Sequence, residues 1–157
     1  MVLEHLNRMG ISYELEEHEA VYTIDEMDSL GIGRGGEVVK NLFLRDAKGK
    51  RHFLVMIQKD KSADLKRLRG ELDSTALSFG SQERLLKYLG LEKGAVTPFG
   101  VLNDPAGAVE VAIDRDLVGH PRLGVHPNEN TATVWIGYEN LKKALEASGH
   151  PIKAVTV

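Results

Sequence analysis

Val38-Val39-Lys40-Asn41-Leu42-Phe43-Leu44 is an apolar run interrupted by one cation and one amide. Short apolar runs rich in β-branched and aromatic residues, bounded by turn residues, form buried strands. Gly35-Gly36 precedes this run and Asp46-Ala47-Lys48-Gly49 follows it. Lysine is almost never fully buried without a partner, and an unpaired buried charge is costly. Side by side in such a strand, Lys40 and Asn41 point to a strand that opens onto a polar cleft. An edge strand whose lysine snorkels to water is the other reading. The run alone leaves both open.

Working outward, Arg51 to Gln58 carries the apolar stretch Phe53-Leu54-Val55-Met56-Ile57 and reads as the second arm of a hairpin. With both arms this apolar, the hairpin is expected to be central and covered by helices. Upstream, Leu3, Leu6 and Met9 sit at helical spacing with Gly10 as a stop. Ile11 to Leu15 alternates like a half-buried strand. Thr23-Ile24-Asp25-Glu26 is a capping-box pattern that predicts a short helix closed by Gly31.

Downstream, Leu65, Leu68 and Leu72 share one helical face. Lys66, Arg67 and Arg69 point elsewhere and, with Lys59 ahead of them, form the most basic segment of the chain. Either this is a solvated face or it meets phosphates. Ser81 is a good N-cap for a helix over Gln82 to Leu89, with Leu85, Leu86 and Leu89 inward and Gly90 as terminator. In Leu91 to Gly100, two glycines flank Pro98, which predicts a rigid loop without regular structure. Its backbone groups are then solvated or used on a ligand. Val101-Leu102-Asn103 and Val109 to Asp114 read as a second hairpin. Thr131 to Ile136 reads as a strand, Gly137 to Ser148 as the last helix and Ile152 to Val157 as a final strand. The succession predicts a single α+β domain over residues 1–157, with flanking helices on a mixed, largely antiparallel sheet.

Composition narrows the chemistry. The chain has 157 residues, 42% hydrophobic and 27% charged, enough for one domain with a real core. It has no cysteine, which excludes disulfides, thiolate metal sites and thiol nucleophiles. Met1-Val2-Leu3-Glu4-His5 does not resemble a signal peptide, and no apolar run reaches membrane-spanning length. A cytoplasmic protein with no membrane partner is expected. A net charge of −3 argues against strong nonspecific nucleic-acid binding, and no DNA partner is expected; a local basic patch is still allowed. There is no phosphate-binding G-x-x-x-x-G-K-[ST] loop and no G-x-S-x-G elbow. Gly31-x-Gly33-x-x-Gly36 matches a dinucleotide fingerprint by letter but follows a helix instead of a strand. No H-x-x-x-H pair occurs, so no metal or cofactor is expected, with a site built from distant His, Asp and Glu as the alternative.

What remains is an ordered set of motifs. Lys40-Asn41 stands in an early strand and Ser78-Phe79-Gly80-Ser81 before a helix. Gly94-Ala95-Val96-Thr97-Pro98 lies in a loop, and His126-Pro127-x-x-Asn130-Thr131-Ala132-Thr133 before the penultimate strand. Nearly end to end, this order resembles the YbaK/prolyl-tRNA-synthetase-associated domain family. The Asn after the lysine and the His-Pro block resemble its branch of freestanding deacylases acting on mischarged Ala-tRNA(Pro), the ProX or PrdX group.

The resemblance implies hydrolysis of the ester joining alanine to the 3′ ribose of tRNA(Pro). A synthetase pocket shaped for proline cannot strongly reject a smaller side chain, since one methylene is worth only about 1–3 kcal/mol. A second, smaller pocket sieves the other way. The implied roles follow. Lys40 holds the terminal nucleotide or polarises the ester carbonyl, and Asn41 hydrogen-bonds the aminoacyl end. Gly94, Ala95, Val96, Thr97 and Pro98 offer backbone groups to the α-amine or carbonyl. His126 orients water or lines the pocket, and Ile24 and Met27 supply apolar walls. A ribose hydroxyl of the tRNA can assist. Prolyl-tRNA synthetase is an implied partner besides the tRNA. A deacylase for Ser- or Cys-tRNA, or a noncatalytic tRNA- or synthetase-binding module, are the alternatives.

Overall fold

A computed structural model describes residues 2–18, 36–92, 95–127 and 131–157. Thr23, Gly31, Gly33 and Gly35 lie outside the described residues, and so does the helix expected there. The N-terminal segment is α1 (Val2–Arg8) followed by β1 (Glu14–Glu17). Between them Gly10 takes φ 70°, with Ile11 N–H bonded to the Leu6 carbonyl and Gly10 N–H to the Asn7 carbonyl. This double closure is what ends helices at a left-handed residue. It also corrects the expected strand over Ile11 to Leu15. Ile11 is consumed in the helix closure and buried, and the strand starts only at Glu14.

The centre of the sheet is β2 (Glu37–Arg45), β3 (His52–Gln58) and β5 (Val109–Asp114). The β2–β3 hairpin forms as expected, with an unbroken antiparallel register from Val39↔Gln58 to Arg45↔His52. β3 is buried from His52 to Ile57, as a strand covered on both faces must be. The remaining α-helices and strands are α2 (Leu65–Glu71), β4 (Ser78–Phe79), α3 (Gln82–Leu89), β6 (Leu123–Val125), β7 (Ala132–Ile136), α4 (Tyr138–Ala147) and β8 (Ile152–Val155). Among the described residues the strand order is β1-β7-β6-β2-β3-β5-β8, with β4 on the end of β2. β2–β6, β3–β5 and β5–β8 are parallel; the other pairings are antiparallel. This is the expected mixed sheet with helices.

The second expected hairpin does not form. Pro98–Asn103 is a 3₁₀ helix, capped by the Thr97 side chain, with Pro at its start. Proline's fixed φ suits a first helical turn, and burial of Phe99 and Val101 holds the turn inward. The flanking glycines therefore do not exclude regular structure. β5 instead lies parallel to β3 and β8. On α3, Ser81 caps and Gly90 closes as expected, but Leu86 is exposed while Leu85 and Leu89 are buried.

Two apolar layers cover the sheet. One includes Val39, Phe43, Leu54, Met56 and Ile113 under residues of α1, α3, α4 and the 3₁₀ turn. The other includes Leu44, Val55 and Ile57 under Leu68 and Leu72 of α2 and its C-cap. No described helix is long and apolar enough to cross a membrane.

Candidate active site

Among the described residues, β2 has a gap in its pairing on the edge away from β3. Val38 pairs with Gly124 of β6, and Leu44 pairs with Phe79 of β4. Among the described residues, no strand pairs with positions 39 to 43 on that side. Across the same edge Gly80 N–H donates to the Phe43 carbonyl at 2.9 Å. Backbone groups of an antiparallel strand repeat their direction every second residue. The N–H and C=O of Asn41 therefore face the opening.

The side chains of Lys40 and Asn41 separate. Lys40 pairs with Ile57 and Asn41 with Met56, and the register has no bulge. Successive side chains on a strand point to opposite faces. Ile57 belongs to the layer under α2, and Met56 to the layer under the 3₁₀ turn. The two residues thus do not open together onto one cleft, as their adjacency suggested. Lys40 looks to the α2 face and Asn41 to the other.

On its face, Asn41 Nδ2 donates to the Val96 carbonyl at 3.2 Å. That contact fixes the amide's orientation. Its Oδ1 is buried and has no partner among the described residues. A buried acceptor left unpaired costs about 1–3 kcal/mol, and such a group is suited to a ligand's N–H or O–H. Thr97, fully buried, donates its hydroxyl hydrogen to the His126 carbonyl. The loop carrying Ala95, Val96, Thr97 and Pro98 is thereby tied both to β2 and to the segment after β6.

His126 Nδ1 lies 3.1 Å from the Ala132 carbonyl. A carbonyl only accepts, so Nδ1 carries the proton and Nε2 offers a lone pair. Burial is the main cause holding the imidazole below its usual pKa; the Ala132 bond pulls the other way and nearby His18 adds to the lowering. His18 Nε2 contacts Thr133 Oγ1 at 2.9 Å. Val38, Val39, Gly124, Val125, His126 and Thr133 line a small hollow here.

On the other face, Lys40 is half-buried and donates from Nζ to the Lys61 carbonyl at 2.6 Å. The Lys61 side chain in turn bridges buried Asp114, at 2.8 Å, and Asp116. The Lys61 hydrogen bonds to these carboxylates raise its pKa. Lys66, Arg67 and Arg69 on α2 are exposed, and Lys59 is half-buried just ahead. The cations of α2 lie on the Lys40 side of the sheet, because Leu68 of α2 and its C-cap Leu72 pack against the layer holding Ile57.

The structure therefore gathers Asn41, Val96, Thr97 and His126 on one side of the gap and sets Lys40 on the other. Ile24, Met27 and Gly94 lie outside the described residues. Sequence reasoning missed His18, Thr133, Lys61 and Asp114. Thr133 ends the His-Pro motif, and Asp114 ends a strand legible from its alternation. No pattern in the sequence links Lys61 to Lys40. Among the described residues no three His, Cys, Asp or Glu side chains are grouped to hold a metal.

A second histidine shapes the response to acid. His52 is buried between the rings of Phe43 and Tyr88. Arg84 Nη1 donates to its Nε2 at 3.0 Å and to the Gly49 carbonyl at 3.1 Å. Burial first, and the Arg84 charge second, lower its pKa from 6.5. His52 and His126 both resist protonation when folded and accept it near 6.5 when unfolded. Below that pH the unfolded chain binds more protons, so stability falls. Urea melts are expected to show stability level above about pH 6.5 in this contribution and declining below it. His52→Phe should flatten the decline; an unchanged slope would remove His52 from it.

An aminoacyl-tRNA editing domain model matches residues 18–144. The prolyl-tRNA editing protein ProX of Acetoanaerobium sticklandii is 52% identical over 154 residues, covering 98% of this chain and 94% of that protein. The prolyl-tRNA synthetase associated domain-containing protein 1 of Danio rerio is 35% identical over 149 residues, covering 94% and 80%. A crystal structure of a candidate trans-editing enzyme for prolyl tRNA synthetase superposes with a TM-score of 0.72 at 21% identity, covering 99% and 94%, and supports the fold. The chain belongs to the aminoacyl-tRNA editing domain family and is an aminoacyl-tRNA deacylase.

Proposed function

We propose that this enzyme hydrolyses mischarged Ala-tRNA(Pro), releasing alanine and free tRNA, in the cytoplasm where translation is proofread. The observation that carries the reading is the buried Asn41 Oδ1, without a partner among the described residues, on the same strand as Val39, which lines the small hollow at His126. In this reading Asn41 Oδ1 accepts from the α-amine, and alanine is selected over proline by a space that takes a methyl side chain and overlaps a pyrrolidine ring. The likeness to an editing protein for prolyl-tRNA supports the choice of tRNA.

In this reading the acylated 3′ end enters through the gap. The aminoacyl group lies on the Asn41 face, and the phosphate of the terminal nucleotide meets Lys40 on the other. A water oxygen attacks the ester carbonyl carbon, and the bond to the ribose oxygen breaks. That oxygen leaves with a proton, and alanine departs as the acid. His126 Nε2, kept unprotonated, is the acceptor that orients the water. An aminoacyl ester is reactive enough for positioning and polar stabilisation to suffice. Lys40 is too far round the strand to polarise the carbonyl, so its role is to hold the nucleotide.

The test is a single-turnover panel on one tRNA(Pro) carrying alanine, serine, cysteine or proline. Alanine should be released fastest and proline spared. Release of serine or cysteine ahead of alanine would move the enzyme to another small acyl group. Absence of all release would favour a binding module.

The Lys61 carbonyl holds Lys40, and the Asp114–Lys61 ion pair holds Lys61. Asp114→Asn keeps an acceptor for the Asp116 N–H but removes the charge. It is expected to raise KM for Ala-tRNA about tenfold with little change in kcat, as lost uniform binding does. A fall in kcat at constant KM would contradict this positioning role.

A further inference from the structure

We propose that Phe79 is a stacking platform for an unpaired base in the single-stranded 3′ end of the tRNA, upstream of the acylated nucleotide. The proposal rests on tRNA being the substrate, and it assigns a use to Ser78-Phe79-Gly80-Ser81, which the hydrolytic site does not explain.

Single exposed apolar residues are common and need no account. Phe79 differs in three respects. It is 62% exposed, yet its backbone is fixed. It pairs with Leu44 in the short β4 ladder, and the next N–H, that of Gly80, bonds the Phe43 carbonyl at 2.9 Å. A Cβ on Gly80 would come within 2.4 Å of the Phe43 ring. Only glycine lets the chain lie that close and hold Phe79 at the edge.

The second respect is its face. Residues directly opposite in an antiparallel pair share a side of the sheet. Phe79 therefore lies on the side of Leu44, which is two strand periods from Lys40 and on the same face. At about 3.4 Å per residue the separation along β2 is roughly 14 Å. A few nucleotides of single strand span that interval.

The third respect is charge. α2 packs its Leu68, with the C-cap Leu72, on this same layer and leaves Lys66, Arg67 and Arg69 exposed. A rigid aromatic ring on the same side of the sheet as exposed cations matches how proteins hold single-stranded RNA without reading its sequence. The occupant is the unpaired 3′ end, because that is the part of a tRNA continuous with the nucleotide at Lys40. A protein surface of the synthetase is the competing occupant.

The experiment measures binding of uncharged tRNA(Pro), intact or trimmed of its 3′ CCA, by fluorescence anisotropy. Wild-type protein should bind the intact tRNA more tightly. Phe79→Ala should weaken that binding about tenfold, the effect of one stacked base, and narrow the difference between intact and trimmed tRNA. Phe79→Trp should keep tight binding, whereas Phe79→Leu should not. Equal binding of the two tRNAs by the wild type overturns the proposal. So does an unaffected Phe79→Ala, or Phe79→Leu performing as well as Phe79→Trp. Because the assay uses uncharged tRNA, failure of the deacylation panel would leave this result readable on its own.

Discussion

Lys40→Ala is expected to lower kcat/KM for Ala-tRNA(Pro) by about 100-fold while leaving thermal unfolding within a degree or two of wild type. The magnitude comes from a charge-assisted hydrogen bond to a phosphate in a partly desolvated setting, about 1.5–3 kcal/mol, with 1.36 kcal/mol per factor of ten. The fold should tolerate the change because Lys40 is half-buried at the edge of the gap and its one described partner is a backbone carbonyl. Single-turnover kinetics alongside a melting curve separates the two effects. A folded mutant with full activity would falsify the role given to Lys40.

Asp104→Ala is expected to be the most damaging single change to stability, about 3–5 kcal/mol, by the standard of breaking a buried charged network. Asp104 is buried at the end of the 3₁₀ turn. Its carboxylate accepts from Ala108 N–H at 3.1 Å and Val109 N–H at 2.8 Å, and lies 2.9 Å from His150 Nε2. His150 is also buried, and its Nδ1 sits 3.1 Å from Ser148 Oγ. The string Ser148–His150–Asp104 resembles a nucleophile with its base. Ser148, however, donates its hydroxyl hydrogen to the Leu145 carbonyl at 2.8 Å. The string is therefore a staple joining the end of α4 and the start of β8 to the entry of β5. Denaturant unfolding of Asp104→Ala should show the loss, and Ser148→Ala should cost little in activity. A melt close to wild type for Asp104→Ala would contradict the staple.

Much of the fold could be read locally. The β2–β3 hairpin, the Ser81 and Gly90 ends of α3 and the last helix and strand all carry their signals within a few residues. What failed was a competition between short-range cues. Val101-Leu102-Asn103 has the composition of a strand, but the Thr97 cap and Pro98 start a helical turn first, and burial of Phe99 completes it. Parallel pairing of β5 with β3 and β8 joins residues far apart in sequence, which no local pattern encodes.

The site was legible in its parts but not in its arrangement. Lys40 and Asn41 are adjacent in sequence, and adjacency on a strand means opposite faces. For this pair the alternation alone assigns the ammonium and the amide to different sides of the sheet. The gap opposite residues 39 to 43 depends on where β6 ends and β4 begins, and the hold of Lys61 on Lys40 is a backbone contact. Neither leaves a mark in residue type.

The central claim is that the substrate straddles β2, with its acyl end at Asn41 and its phosphate at Lys40. The direct measurement is an NMR titration with a nonhydrolysable 3′-alanylamino analogue of adenosine 5′-phosphate, observing the Asn41 side-chain amide and the Lys40 ammonium. Both signals should shift with the phosphorylated analogue. Omitting the phosphate should abolish the Lys40 response and preserve that of Asn41. A Lys40 signal that still responds without the phosphate, or an Asn41 signal that never moves, would contradict the account.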